Sequence, residues 1–79
     1  MARLLFFGRL QDAMGTGALT AALPAHVRDI ETLRAWLGAK HPELCDATVR
    51  IAVNAELGPG NSAVADGDEI AFLPPMSGG

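Results

Sequence analysis

"DGDEIAFLPPMSGG", Asp66 to Gly79, contains in order a reversal, a strand, a stop and a bare end. Asp66-Gly67 favours the backbone conformations of a tight turn. Glu69 to Leu73 reads as the last strand of the chain. Pro74 and Pro75 then remove two N–H donors and end any ladder pairing. Their rings also hold φ near about −65°, which stiffens the stem and projects the last residues away from the sheet. Gly78 and Gly79 carry no Cβ, so backbone at the tip can adopt dihedrals closed to other residues. This sets the boundary: residues 1–73 form the folded domain, and residues 74–79 form an extended, flexible C-terminal tail.

Working backwards, Thr48 to Asn54 ("TVRIAVN") alternates Val49, Ile51 and Val53 with small or polar residues, the mark of a strand with one face in a core. "LGPGN" is a loop, and "SAV", Ser62 to Val64, reads as a short strand. The strongest helix runs from Ile30 to Lys40, with Asp29 placed as its N-cap. Ile30, Leu33, Trp36 and Leu37 make one apolar stripe, which must lie on a sheet. Gly38 and Pro42 end it. Ala18 to Leu23 is a weaker strand closed by Pro24, and "RLQDAMGTG" has room for one helical turn before Gly15 and Gly17. Arg3 to Phe7, "RLLFF", is continuously apolar after its arginine and predicts a strand buried on both faces. Phe6 and Phe7 must point to opposite sides of it. The pattern is α+β, with one principal helix covering one mostly antiparallel sheet of four to five strands. That order is compatible with a β-grasp (ubiquitin-like) arrangement.

Bulk composition narrows the function. The chain has 79 residues, one domain's worth, 49% of them apolar and 19% charged. At this size only about 60% of the unfolded surface is buried, so the core is modest. Six Lys and Arg stand against 9 Asp and Glu, a net charge of −3. No basic cluster offers a phosphate-binding face, which argues against nucleic acid and anionic membranes as partners. The apolar run Leu4 to Phe7 is too short for a secretory leader or a membrane span. Cys45 is the sole cysteine, so no internal disulfide and no zinc-ligand spacing exist, and a reducing cytoplasm is the expected location. No Ser/His/Asp or Cys/His arrangement appears. His26 and His41 lie beside prolines and read as surface residues, Trp36 as the edge of the core, and Cys45 as a small, partly buried residue. Asp66, Asp68 and Glu69 suit a turn better than a metal site, since a calcium loop needs more oxygen ligands at regular spacing.

Three stretches, "LLFFGRLQDAMGT", "VNAEL…ADGDEIAFLPP" and the terminal "SGG", together resemble the small, sulfur-carrying subunits of molybdopterin synthase, a β-grasp family. The resemblance covers essentially the whole chain. It implies a carrier without catalysis of its own, the active site lying on a large subunit. An activating enzyme adenylates the Gly79 carboxylate with ATP, sulfur transfer makes a C-terminal thiocarboxylate, and the sulfur attacks cyclic pyranopterin monophosphate inside the large subunit. Two deliveries build the dithiolene of the cofactor. The implied catalytic positions are Gly79 and Gly78. The implied partner contacts are Phe7, Leu57, Leu73, Pro74, Pro75, Met76 and Ser77, with the alternative that Phe7, Leu57 and Leu73 are simply core. Leu73 replaces a phenylalanine frequent in the family and stays apolar. No metal and no stably bound cofactor is implied, and the assembly is commonly a heterotetramer. Rival readings are a sulfur carrier for another acceptor, such as the thiamine thiazole, a ubiquitin-like modifier joined through Gly79 to lysines, and a non-covalent binding module.

Overall fold

Among the described residues, five strands form one mixed sheet in the order β2-β1-β5-β3-β4. In the computed structural model, residues 1–46 and 48–75 are described, Cys45 by its backbone only. The strands are β1 Ala2–Phe6, β2 Ala18–Ala21, β3 Arg50–Val53, β4 Glu56–Leu57 and β5 Glu69–Leu73, with helices α1 Arg9–Met14 and α2 Ile30–Gly38 and a 3-10 turn at Pro42–Cys45. The first and last strands run parallel at the centre, and the other three pairings are antiparallel. This is the ubiquitin-like β-grasp, with α2 as its principal helix.

Helix α2 forms where the sequence places it. The Asp29 carboxylate accepts from the Thr32 amide at 2.8 Å, and the Thr32 hydroxyl accepts from the Asp29 amide at 3.1 Å, closing a reciprocal capping box. The same two groups of Thr32, hydroxyl first and amide second, hold the Asp29 carboxyl below its ordinary pKa. The helix stops at Gly38, short of the expected Lys40. Ile30 and Leu33 are buried, while Trp36 and Leu37 are half-buried against the core.

Beneath the helix lie Ala2, Leu4 and Phe6 of β1, Ile51 of β3, and Ile70 and Phe72 of β5, all buried. Phe6 and Phe72 face each other in register across the parallel pair, their rings stacked with centroids 5.3 Å apart and planes at 25°. Burial of such a side chain contributes on the order of 1.5–3 kcal/mol. Strand β1 is not buried on both faces as its composition suggests. Ala2, Leu4 and Phe6 point inward, Arg3 is exposed and Leu5 is half-buried, because α2 covers one side of the sheet.

Two further expectations change. "SAV" forms only an isolated bridge, Asp29 to Ala63, and the short strand lies instead at Glu56–Leu57. The β3–β4 hairpin turns on Asn54 and Ala55 at φ +52° and +70°, the two left-handed positions of a tight two-residue hairpin. Asn54 is suited to this. Its side chain also accepts from the Glu69 amide at 3.0 Å and donates to Asp68 at 3.1 Å, tying the hairpin to β5. Ala55 is strained there, because its Cβ crowds the backbone. Ala55→Gly is therefore expected to raise stability by about 0.5–1 kcal/mol, read as a higher urea midpoint at unchanged slope. A lower midpoint would show that the turn relaxes the alanine.

Candidate functional site

Because β1 and β5 are parallel, their C-terminal ends leave the sheet side by side. Phe7 and Gly8 therefore flank the root of the tail. The Phe7 amide donates to the Phe72 carbonyl at 3.2 Å, extending the pairing one residue past β1. Gly8 takes φ +57°, and a Cβ built there would stand 2.9 Å from Cγ of Pro74. Glycine lets the β1–α1 connection pass against the first proline of the tail. Pro74 and Pro75 are half-buried beside it. Met76, Ser77, Gly78 and Gly79 lie outside the described residues, as does the side chain of Cys45.

The register also composes the face of the sheet that α2 leaves open. Leu5 pairs with Ala71, Ala71 with Ala52 and Ala52 with Leu57, while Ala18 pairs with Leu5 on the other side. Directly paired residues share a face, so these five make one small-to-apolar row across all strands. The next row towards the tail holds Leu73 paired with Arg50, and by alternation Phe7. The opposite flank carries Thr20, Arg3 and Glu69 in register.

Phe7 is 45% exposed and Leu57 55%, and Leu73 is half-buried. The alternative that all three are core does not hold. Phe7 and Leu73 are neighbours at the tail root. Leu57 is on the same face, three strands from Leu5 and hence about 14 Å from it. Leu5, Ala52 and Ala71 belong to this face and are not singled out by sequence. Counting two residues back from Phe7 finds Leu5; the two alanines become visible only once the register is known.

The acidic stretch is structural. Asp66 accepts from the Leu23 amide at 3.0 Å and Asp68 from the Ala65 amide at 2.9 Å, closing the turn in which Gly67 takes φ +96°. His26 is exposed, but His41 is half-buried at the rim of a cleft that Trp36 also lines. Among the described residues no helix is long and apolar enough to cross a membrane.

A β-grasp whose central strand runs into two prolines, beside an apolar open face, places the chain among the small ubiquitin-like proteins. The chain belongs to the ThiS family, whose model matches residues 4–79. It is 35% identical to the molybdopterin synthase sulfur carrier subunit of Escherichia coli (strain K12), over 100% of both chains. Among solved structures it is similar to a chain in the complex of subunits 1 and 2 of the molybdopterin-converting factor from Helicobacter pylori 26695, with TM-score 0.61 and 28% identity over 99% of this chain and 97% of that one. It is also similar to the small archaeal modifier protein 1 of Methanosarcina acetivorans, with TM-score 0.72 and 26% identity over 99% and 95%.

Proposed function

We propose that this chain is the sulfur carrier subunit of a molybdopterin synthase and that sulfur travels on its C-terminus. The observation that supports this best is the full-length likeness to a carrier so named, in a chain whose β5 leads directly into Pro74 and Pro75. ATP converts the Gly79 carboxylate into an acyl adenylate and releases pyrophosphate, since a bare carboxylate is a poor electrophile. A sulfur nucleophile displaces AMP and leaves a thiocarboxylate, a soft, largely anionic nucleophile at neutral pH. The thiocarboxylate sulfur bonds to a carbon of cyclic pyranopterin monophosphate, and water then cleaves the acyl–sulfur bond, which leaves the sulfur on the acceptor and returns the carboxylate. ATP belongs to an activating enzyme, and the acceptor is held by a large subunit. The test is an intact mass after incubation with the activating enzyme, ATP and a sulfur source: replacing one oxygen by sulfur adds about 16 Da. No gain with a competent enzyme overturns the proposal.

The open sheet face is the surface by which both partners grip the chain, with Phe7, Leu57 and Leu73 as apolar anchors and Pro74 and Pro75 aiming the tail. Its exposed apolar residues support this, since anchors of this kind carry most interface energy. Leu57→Asp and Phe7→Asp are each expected to weaken large-subunit binding at least tenfold, about 1.4 kcal/mol. The melting temperature should hold, because neither side chain is in the core. Calorimetry of the subunit pair checks this, and unchanged affinity in both variants would remove the face from the interface.

The likeness to an archaeal modifier protein supports a second reading, conjugation of Gly79 to lysines of other proteins. Conjugates on target lysines in cell extract, dependent on ATP and on Gly79, would support it.

A further inference from the structure

We propose that the groove between the free edge of β2 and the C-terminal half of α2 binds an extended peptide segment of another protein, added to the sheet as a sixth strand, with apolar residues at alternate positions and carboxylates towards Lys40 and His41. The outer edge of β2 is the first observation. The Phe6 amide donates to the Gly17 carbonyl at 2.9 Å, which sets the phase of the antiparallel ladder. Hydrogen-bonded pairs alternate along such a ladder, so Leu19 and Ala21 bond to β1 while Ala18 and Thr20 turn their backbone groups outward. The outward groups of Ala18 are taken by the Thr16 hydroxyl, at 2.9 Å from the carbonyl and 3.3 Å from the amide. Those of Thr20 meet no partner among the described residues. Edge strands are normally protected by charges, prolines, bulges or brevity. The opposite edge obeys that rule, since β4 has two residues and one is Glu56. Strand β2, "ALTA", is four residues long and carries no charge, proline or bulge, so the outward groups of Thr20 stand unguarded.

The second observation is the cleft beside that edge. A space of about 320 Å³ opens between β2 and α2, with Leu19 and Ala21 on the strand side and Trp36 and Leu37 on the helix side. A strand added at Thr20 would direct every second side chain into it, the arrangement by which peptides gain both ladder bonds and pockets. Met14 at its end is an adaptable wall.

Charge selects the occupant. Among the described residues, Lys40 and His41 are the only ionisable ones lining the cleft, and no carboxylate joins them. An acidic flank on the peptide is thus attracted, and a basic one is repelled. Neither the edge nor the cleft includes Phe7, Gly8, Leu73, Pro74 or Pro75 at the tail root, so this surface is separate from the proposed transfer chemistry.

Trp36 is the single tryptophan of the chain and lines the cleft, so its emission reports occupancy. The probe is a capped peptide of about seven residues, a typical strand length, alternating isoleucine with threonine and ending in two aspartates. We expect a saturable change in Trp36 emission below about 1 mM peptide, together with slowed exchange of the Thr20 amide. Thr20→Pro removes the outward donor at an edge, where proline is tolerated, and should weaken binding about tenfold. Should that variant lose its fold, the same peptide N-methylated at its central residue makes the test on the unaltered protein. Lys40→Glu, or lysines replacing the aspartates, should weaken binding about fivefold, an effect lost in high salt. Protein lacking Gly78 and Gly79 should bind unchanged, so failure here and failure of the carrier reading are distinguishable. The proposal is overturned by the absence of saturation, by full binding of the N-methylated peptide, or by a Trp36 change that tracks protein concentration without peptide and so marks a second copy as the occupant.

Discussion

Deleting Gly79 is expected to abolish thiocarboxylate formation while leaving the melting temperature unchanged. The reacting group of the proposed carrier is the terminal carboxylate, and each extended residue advances the chain by about 3.3–3.6 Å. A tail shorter by one residue presents its carboxylate that far from the phosphate it must attack. Reacting atoms have to approach within about 3–3.5 Å, and a misplacement of about 1 Å already costs on the order of 100-fold, so at least that loss of rate is expected. One residue added after Gly79 errs equally in the other direction and should be as inactive. Gly79→Ala keeps the length and adds a Cβ; an intermediate rate there would separate reach from channel width. Stability should not respond, because the described residues from Ala2 through Phe72 already supply a closed core. Mass spectrometry after reaction with the activating enzyme and a thermal melt decide the matter together. Normal sulfur loading of the shortened chain would contradict the carrier mechanism, and a lowered melt would assign the tail a structural role.

Sequence was most informative where a single residue dictates local geometry. Asp29 before an apolar stripe marked the start of α2, and Pro74 marked the end of β5, because capping and a missing N–H act within a few residues. The open face of the sheet was harder to read. "LLFF" looks like a strand buried twice because Leu5 and Phe7 are apolar, yet these are the residues that the structure turns away from the helix. Composition cannot separate a buried face from an exposed apolar one; only the single-sided cover of α2 does. Strand β4 is hidden in the sequence for another reason. Asn-Gly would have announced the hairpin, but Ala55 occupies the second turn position at φ +70°. The cleft beside β2 has no local signature, since it joins Leu19 to Trp36 and His41 across the fold.

Phe72→Ala is expected to cost about 3–5 kcal/mol, the range for a buried phenylalanine. A domain of 79 residues has on the order of 4–12 kcal/mol of total stability, so much of it is lost. At about 4 °C or more per kcal/mol for this size, the melting temperature should fall by at least about 12 °C. The loss has two parts: the cavity left under α2, and the stacked contact of Phe72 with Phe6. Leu73 is the control. It is the next residue along the same strand, but its side chain is on the open face, half-buried and outside the core. Leu73→Ala should therefore leave the melt nearly in place and lower affinity for the large subunit. Sulfur loading of Phe72→Ala should fall only in proportion to the unfolded fraction, and recover on cooling, because Phe72 supports the strand that carries the tail and is 7 residues upstream of Gly79. A stable Phe72→Ala beside an unstable Leu73→Ala would reverse the assignment of the two faces.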